Sequence, residues 1–336
     1  MSFIESQRQK QIQFSKDKDL KTGGIYKGKT REFVLEDGKK NLHKFFRDDA
    51  IRYFHEKEIS WWDGGKDNLP TGHLLSSQVA CVNHLFPMRT SKKLADAFLK
   101  SLDMDFEEAI SIKFEEDDLF LAFEKTAKDN LGGERGRKRG ANSTSIDAFM
   151  IGKKCDGQKV LILIEWKYTE SYQPTFMRLS SKKTDRLERY FDLLPVNGGK
   201  SAISLKPELS LVEHKDAKNL KFPMLNTLCF EPYYQLMRQT LLGEQMVAKD
   251  GYAVDDFLHL HLIPEENQEL HGVESDKIPL SKIGMSLEKR WKNCLSIPDR
   301  YELLYHENIF PKFKKIAGFN DEELEWYQYL EERYLK

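Results

Sequence analysis

The run Val160 to Ile164 (VLILI), which ends in Glu165-Trp166-Lys167, constrains the fold of this chain more than any other stretch. Five consecutive branched apolar residues read as a strand buried on both faces, and such a strand has to lie inside a sheet that is covered on both sides. Upstream, the segment from Ser145 is a second β-rich run, and the polar stretch between them holds Gly152, Lys153, Lys154 and the turn pair Asp156-Gly157. An antiparallel hairpin follows. Opposed residues in a hairpin are equidistant from its centre, so a turn centred on Asp156 sets Asp147 opposite Glu165. Their Cβ atoms would then lie ~4.5–5.5 Å apart, and Lys167 shares the face of Glu165. A slip of one residue would send Asp147 to the other side of the sheet.

Two carboxylates at that separation raise one another's pKa unless a positive charge lies between them, and a hard cation with oxygen ligands such as Mg²⁺ is the usual answer. An ammonium two residues past Glu165 can hold or help to deprotonate a water, or stabilise charge that gathers on a phosphate. The plainer reading of the same spacing is an ion pair of Lys167 with Glu165 or Asp147 at the mouth of a sheet.

Asp147, seventeen intervening residues and then Glu165-Trp166-Lys167 resembles the motif of the PD-(D/E)XK nuclease superfamily, the restriction-endonuclease-like enzymes, with Ile146 where the name has proline. The core of that family runs helix, three strands, helix, strand, and the chain offers the same order. Leu74 to Phe86 has helical spacing and stops at Pro87, and Asp118 to Phe123 reads as the first strand ahead of the hairpin. Pro232 to Met246 is a helix with proline in its first turn, and Asp256 to Ile263 alternates like a strand. Ser76-Ser77-Gln78, Phe123-Glu124 and the pair Gln235 and Arg238 resemble the accessory pattern of a restriction-endonuclease subgroup. The resemblance covers about Gly72 to Ile263.

It implies an α/β fold: a restriction-endonuclease-like αβββαβ core with a mixed central sheet flanked by helices, an N-terminal extension (1–70) and a C-terminal helical region (266–336). The core would span 71–265 with an insertion at about 171–225. It also implies a metal-dependent DNA endonuclease in which Asp147, Glu165 and the Trp166 carbonyl hold Mg²⁺, with Mn²⁺ as its substitute, and Lys167 is the catalytic lysine. Glu124 becomes a further acidic candidate, and Gln235 and Arg238 would line the site against nucleic acid. RNA, branched DNA, or a binding module without turnover are the alternatives on the same core, since fold alone does not identify a substrate. Cutting both strands of a duplex would suit a homodimer.

Other readings of these residues stand beside the functional ones. Glu124 next to Lys125 could be a solvated strand end, Glu134 reads as solvent exposed, and Gln235 with Arg238 share a helical face that could simply bond to a neighbour. Arg135, Arg137, Lys138 and Arg139 in the glycine-rich stretch Gly132 to Gly140 are the local candidates for phosphate contact. A second basic stretch, with Arg178, Lys182, Lys183, Arg186 and Arg189, is expected to form one helix.

Composition limits the rest. The 336 residues suffice for a full core, and a net charge of −1 leaves any attraction for a polyanion to local clusters. Cys81, Cys155, Cys229 and Cys294 lack metal-ligand spacing, which points to free thiols and a reducing compartment. The polar N-terminus and the lack of a membrane-length apolar stretch give the expectation of a cytoplasmic protein. Trp61 and Trp62 are expected to pack the extension on the core, with base stacking as their other use. Met285 to Leu295, Asp299 to Tyr305 and a capped segment from Asn320 read as helices. His259 and His261 share a strand face near Asp255 and Asp256, a pattern open to a second metal centre, but they are expected to be hydrogen-bonded core residues.

Overall fold

The apolar hairpin becomes the middle of a mixed sheet. The computed structural model describes residues 1–65, 67–114, 117–126, 130–131, 134, 143–196, 200–205, 217, 219–272 and 285–335. Four helices come first: α1 (Phe3–Asp17), α2 (Arg47–Glu56), α3 (Ser77–Leu85) and α4 (Lys92–Ser101). Two short ribbons, β1 (Ile25–Tyr26) with β2 (Lys29–Thr30) and β4 (Ile112–Phe114) with β5 (Asp117–Leu119), stand apart from the main sheet. That sheet contains β3 (Phe106–Ile110), β6 (Ala122–Thr126), β7 (Ser145–Lys154), β8 (Lys159–Trp166), β9 (Asp256–Ile263) and β10 (Tyr301–Tyr305). Helix α5 (Tyr233–Lys249) links β8 to β9, α6 (Leu287–Lys292) precedes β10, and α7 (His306–Ile316) and α8 (Asp321–Leu330) complete the chain's helices among the described residues.

The strand order is β10-β9-β8-β7-β3, with β6 pairing the other half of β7. β7 runs antiparallel to β3, β6 and β8, whereas β8, β9 and β10 are mutually parallel. Alternation along β8 divides the core. Val160, Ile162 and Ile164 face a cluster with α3, α4 and α7, while Leu161 and Leu163 face one built on α5. Each fully buried aliphatic side chain contributes roughly 1.5–3 kcal/mol, so the hairpin register is held by its apolar residues rather than by the charges at its end. The turn closes at Gly157, whose φ of +91° favours glycine and whose N–H donates to the Lys154 carbonyl at 2.9 Å.

The mixed sheet with helices on both faces is the architecture expected from sequence, and α3, β7, β8, α5 and β9 fall where the patterns place them. Asn320 and Glu323 form the expected capping box of α8. Elsewhere the structure corrects the reading. Asp299 to Tyr305 is not a helix: after a short 3₁₀ turn at Pro298–Arg300, Tyr301–Tyr305 is the edge strand β10, because Tyr301, Leu303 and Tyr305 alternate and the free edge of β9 offers partners. The stretch from Arg178 to Arg189 is not one helix either. Buried Arg178 pairs with Asp185 at 2.8 Å and folds the segment back, leaving only a 3₁₀ turn at Arg186–Tyr190. Asp118 to Phe123 divides between β5 and β6, and β3 supplies an edge partner for β7 that no pattern announced.

The N-terminal region enters the same core as the sheet, through Ala50, Tyr53, Phe54, Ile59 and Trp61, and Trp61 stacks on Phe54 with ring centroids 3.9 Å apart. The four cysteines are free thiols, and no helix among the described residues is long and apolar enough to cross a membrane.

Gly243 sets how closely α5 approaches the sheet. A Cβ there would meet Leu163 Cδ1 and Phe257 Cδ2 at 2.6 Å, and both side chains are buried. Alanine gains about 1 kcal/mol of helix propensity over glycine, but overpacking a tight core costs about 1–3 kcal/mol. Gly243→Ala is therefore expected to lower the unfolding free energy by a net ~0–2 kcal/mol, read from urea denaturation. A gain in stability would show that α5 does not sit tightly on β8 and β9.

Candidate active site

The sheet register brings three acids into one row. β6 pairs with β7 through Phe123↔Ala148 and Lys125↔Ile146, so Glu124 and Asp147 share the intervening position. β7 pairs with β8 through Ala148↔Ile164, and one step along both strands brings Asp147 level with Glu165. On the far side of β8, Glu165 is opposite His261 of β9. Glu124 adopts φ +55°, an uncommon conformation for a non-glycine residue and one that clusters at functional sites.

Each acid is held differently. Asp147 lines a cleft; its Oδ2 accepts the Trp166 N–H at 2.8 Å, and its Oδ1 has no hydrogen-bond partner among the described residues. Glu165 is almost fully buried. Its Oε1 pairs with Lys167 Nζ at 2.5 Å and accepts from Gln235 Nε2 at 2.6 Å, and its Oε2 accepts from Gln239 Nε2. Glu124 Oε1 accepts from Gln78 Nε2 at 2.9 Å. The Lys167 N–H continues the parallel ladder to the Leu262 carbonyl at 2.9 Å, which fixes the root of its side chain.

Burial first, and then the charge of Glu165, push the Asp147 carboxyl well above its usual range; Lys167 pulls the other way, Glu124 adds a lesser push and the Trp166 N–H a lesser pull. For Lys167, burial works to lower the pKa. Glu165, Tyr172, Glu170 and Asp147 outweigh it and hold the ammonium charged, well above its ordinary value. One fixed cation thus faces a cluster of carboxylates.

The cleft has a volume of about 370 Å³, and its walls include Ser76, Ser77 and Gln78 from the start of α3 as well as Glu124, Asp147, Trp166 and Lys167. Ser76 caps α3 by accepting the Val79 N–H, and Ser77 Oγ donates to the Trp166 carbonyl at 3.4 Å. The Trp166 ring points away into the core, stacked on His306 at 4.0 Å, so only its backbone faces the acids.

Among the residues singled out from sequence, Glu124, Asp147, Glu165, Lys167 and Gln235 come together here, with the Trp166 backbone. Arg238 does not join them: its guanidinium lies over the Tyr234 ring at 5.0 Å, in the company of Tyr190, Glu134 and Glu231. Arg135, Arg137, Lys138 and Arg139 lie outside the described residues. Glu134 is fully buried rather than exposed, because Thr144 and Tyr190 supply its hydrogen bonds. His261 bonds Tyr301 and Tyr172 through its two ring nitrogens, but neither nitrogen of buried His259 has a hydrogen-bond partner among the described residues, which corrects the picture of two hydrogen-bonded histidines. Gln239 is the residue sequence reasoning missed. Its place one turn after Gln235 puts it on the same helical face, and that i,i+4 spacing was the available signal.

Residues 6–335 match the model of a protein family described as "Restriction Endonuclease associating with ARP". No curated protein and no solved structure matches the chain. A match over nearly the whole length shows the membership, and the chain belongs to the family of restriction endonucleases associating with ARP.

Proposed function

We propose that the protein is a PD-(D/E)XK nuclease that hydrolyses phosphodiester bonds of DNA with the help of a divalent cation. The observation that carries this reading is Asp147, a cleft-lining carboxylate with one oxygen unpartnered among the described residues, in a row with two further carboxylates. An arrangement with that much negative charge and one ammonium suits a cation better than it suits a structural ion pair. The family description, a restriction endonuclease, supports the same conclusion.

Among the described residues no group of three His, Cys, Asp or Glu side chains is arranged to hold a metal by itself. Mg²⁺ does not require one. It characteristically takes one or two carboxylates and completes its shell with waters and phosphate oxygens. Asp147 and Glu165 would hold it, with the Trp166 carbonyl as a third oxygen, and Mn²⁺ would serve in its place. When bound, the ion supplies Lewis-acid polarisation of the scissile phosphate.

The chain's own groups do the rest. Gln235 and Gln239 fix the Glu165 carboxylate, so they are positioning residues, while Oε2 keeps a lone pair beyond the Gln239 bond. The Lys167 ammonium, held by Glu165, would orient the attacking water and meet charge that develops on the phosphate. Glu124, clamped by Gln78, is a further acceptor at the rim. A twofold pair of such sites would cut both strands of a duplex.

Two measurements test the reading. Wild-type protein with Mg²⁺ should cut DNA and stop with EDTA, and Asp147→Ala and Lys167→Ala should each lower the rate by at least about a hundredfold. Duplex, single-stranded and branched DNA and RNA form the substrate panel, and a protein that binds DNA but cuts none of them would be a binding module instead. In metal-free buffer near pH 7, Asp147→Asn should raise the unfolding free energy by about 1 kcal/mol, because it removes a group whose ionisation the fold disfavours. Adding Mg²⁺ should then raise the melting temperature of the wild type and leave that of Asp147→Asn unchanged. Equal Mg²⁺ stabilisation of both proteins would exclude Asp147 as a ligand.

A further inference from the structure

One wall of the cleft is not explained by the acids. Trp62 lines it with 47 % of its surface exposed, whereas Trp61, Trp166, Trp291 and Trp326 are all buried. Its backbone N–H donates to Gln78 Oε1 at 2.8 Å, and the same amide group donates through Nε2 to Glu124. The position of Trp62 is thereby tied to the row of acids. Against the indole, His73 packs edge-on at 5.4 Å and Tyr26 lies at 6.1 Å. Burial, followed by the charges of Arg8 and Lys27, pushes His73 down to about 4, so this aromatic contact is neutral near pH 7. Lys27, at the tip of the β1–β2 ribbon, places its ammonium 5.2 Å from the Tyr26 ring centroid.

A braced, half-exposed indole beside the proposed phosphodiesterase site has a chemical use. Bases stack on aromatic side chains irrespective of sequence, but the faces of a base inside an intact duplex are covered by its neighbours. We propose that Trp62 is the stacking platform for an unpaired nucleobase of DNA bound in the cleft. The site would then take DNA with a nucleotide outside the base stack close to the scissile phosphate, an inference that rests on the nuclease reading above. Lys27 supplies a cation for the backbone of that nucleotide.

Trp62 is the exposed tryptophan of five, so the difference in emission between the wild type and Trp62→Phe isolates its signal from that of the four buried ones. The protein is titrated in Ca²⁺ buffer with a short single-stranded oligodeoxynucleotide, the blunt duplex of the same sequence, and an abasic strand of equal length. The single strand should quench the emission; the duplex and the abasic strand, which carries phosphates without bases, should not. Trp62→Phe should abolish the quenching yet bind the single strand within about threefold of wild type, since phenylalanine still stacks. Trp62→Ala should weaken that binding by roughly 5- to 100-fold, measured by fluorescence anisotropy of a labelled strand. The proposal is overturned if the single strand does not quench, if quenching persists in Trp62→Phe, if Trp62→Ala binds like wild type, or if the duplex quenches equally. Asp147-dependent cleavage with an indifferent Trp62 removes the platform alone. Stacking without cleavage of any substrate removes the nuclease reading alone.

Discussion

The structure turns on how a strand buried on both faces can end in charge. β8 is apolar from Val160 to Ile164, and its next position is Glu165, at 2 % exposure on the face that α5 covers. A carboxylate taken out of water is tolerated only when its lone pairs are filled and its charge is met. Lys167 meets the charge, and Gln235 and Gln239 reach down from α5 to fill the remaining sites. Removing one partner from a buried pair of this kind typically costs ~3–5 kcal/mol, so Glu165, Lys167 and α5 have to be assembled together. The close seat of α5, set at Gly243, is therefore a requirement of the site as much as of the core.

Asp147 shows the opposite arrangement. It receives a single backbone N–H and sits between two other carboxylates, so the fold leaves it under-compensated. Evolved active sites commonly carry such local cost where stability alone would favour a neutral residue. The N-terminal region contributes to the same place from the other side. Gln78 at the start of α3 joins Glu124, Ser60 and Trp62 through one side-chain amide, which couples the rim of the cleft to the sheet edge.

Much of this was legible in the residue pattern because hairpin geometry is local. Alternation, an Asp-Gly turn and an apolar run suffice to place Asp147 level with Glu165 and Lys167 on the face of Glu165, and Pro232 marks the start of α5. What was not legible depends on distant partners. Glu134 looks solvated in its glycine-rich surroundings, and only Thr144 and Tyr190, brought by the fold, make its burial affordable. The segment from Arg178 carries helical charge spacing, yet the Arg178–Asp185 pair is a tertiary choice. Tyr301–Tyr305 is ambiguous over five residues until the open edge of β9 decides it as a strand. Trp61 and Trp62, identical in type and adjacent, separate into a core residue and a cleft residue for the same reason: one meets Phe54 and the other meets the cleft.

The central claim is that the open carboxylate row is built to hold a divalent cation. Diffraction from crystals soaked in Mn²⁺, recorded at the manganese absorption edge, tests it most directly. The account predicts an anomalous peak within ~2.0–2.3 Å of oxygens from both Asp147 and Glu165, next to the Trp166 carbonyl. A fully soaked crystal with no peak there, or with Glu165 still closed on Lys167 and the ion bound elsewhere, would contradict it.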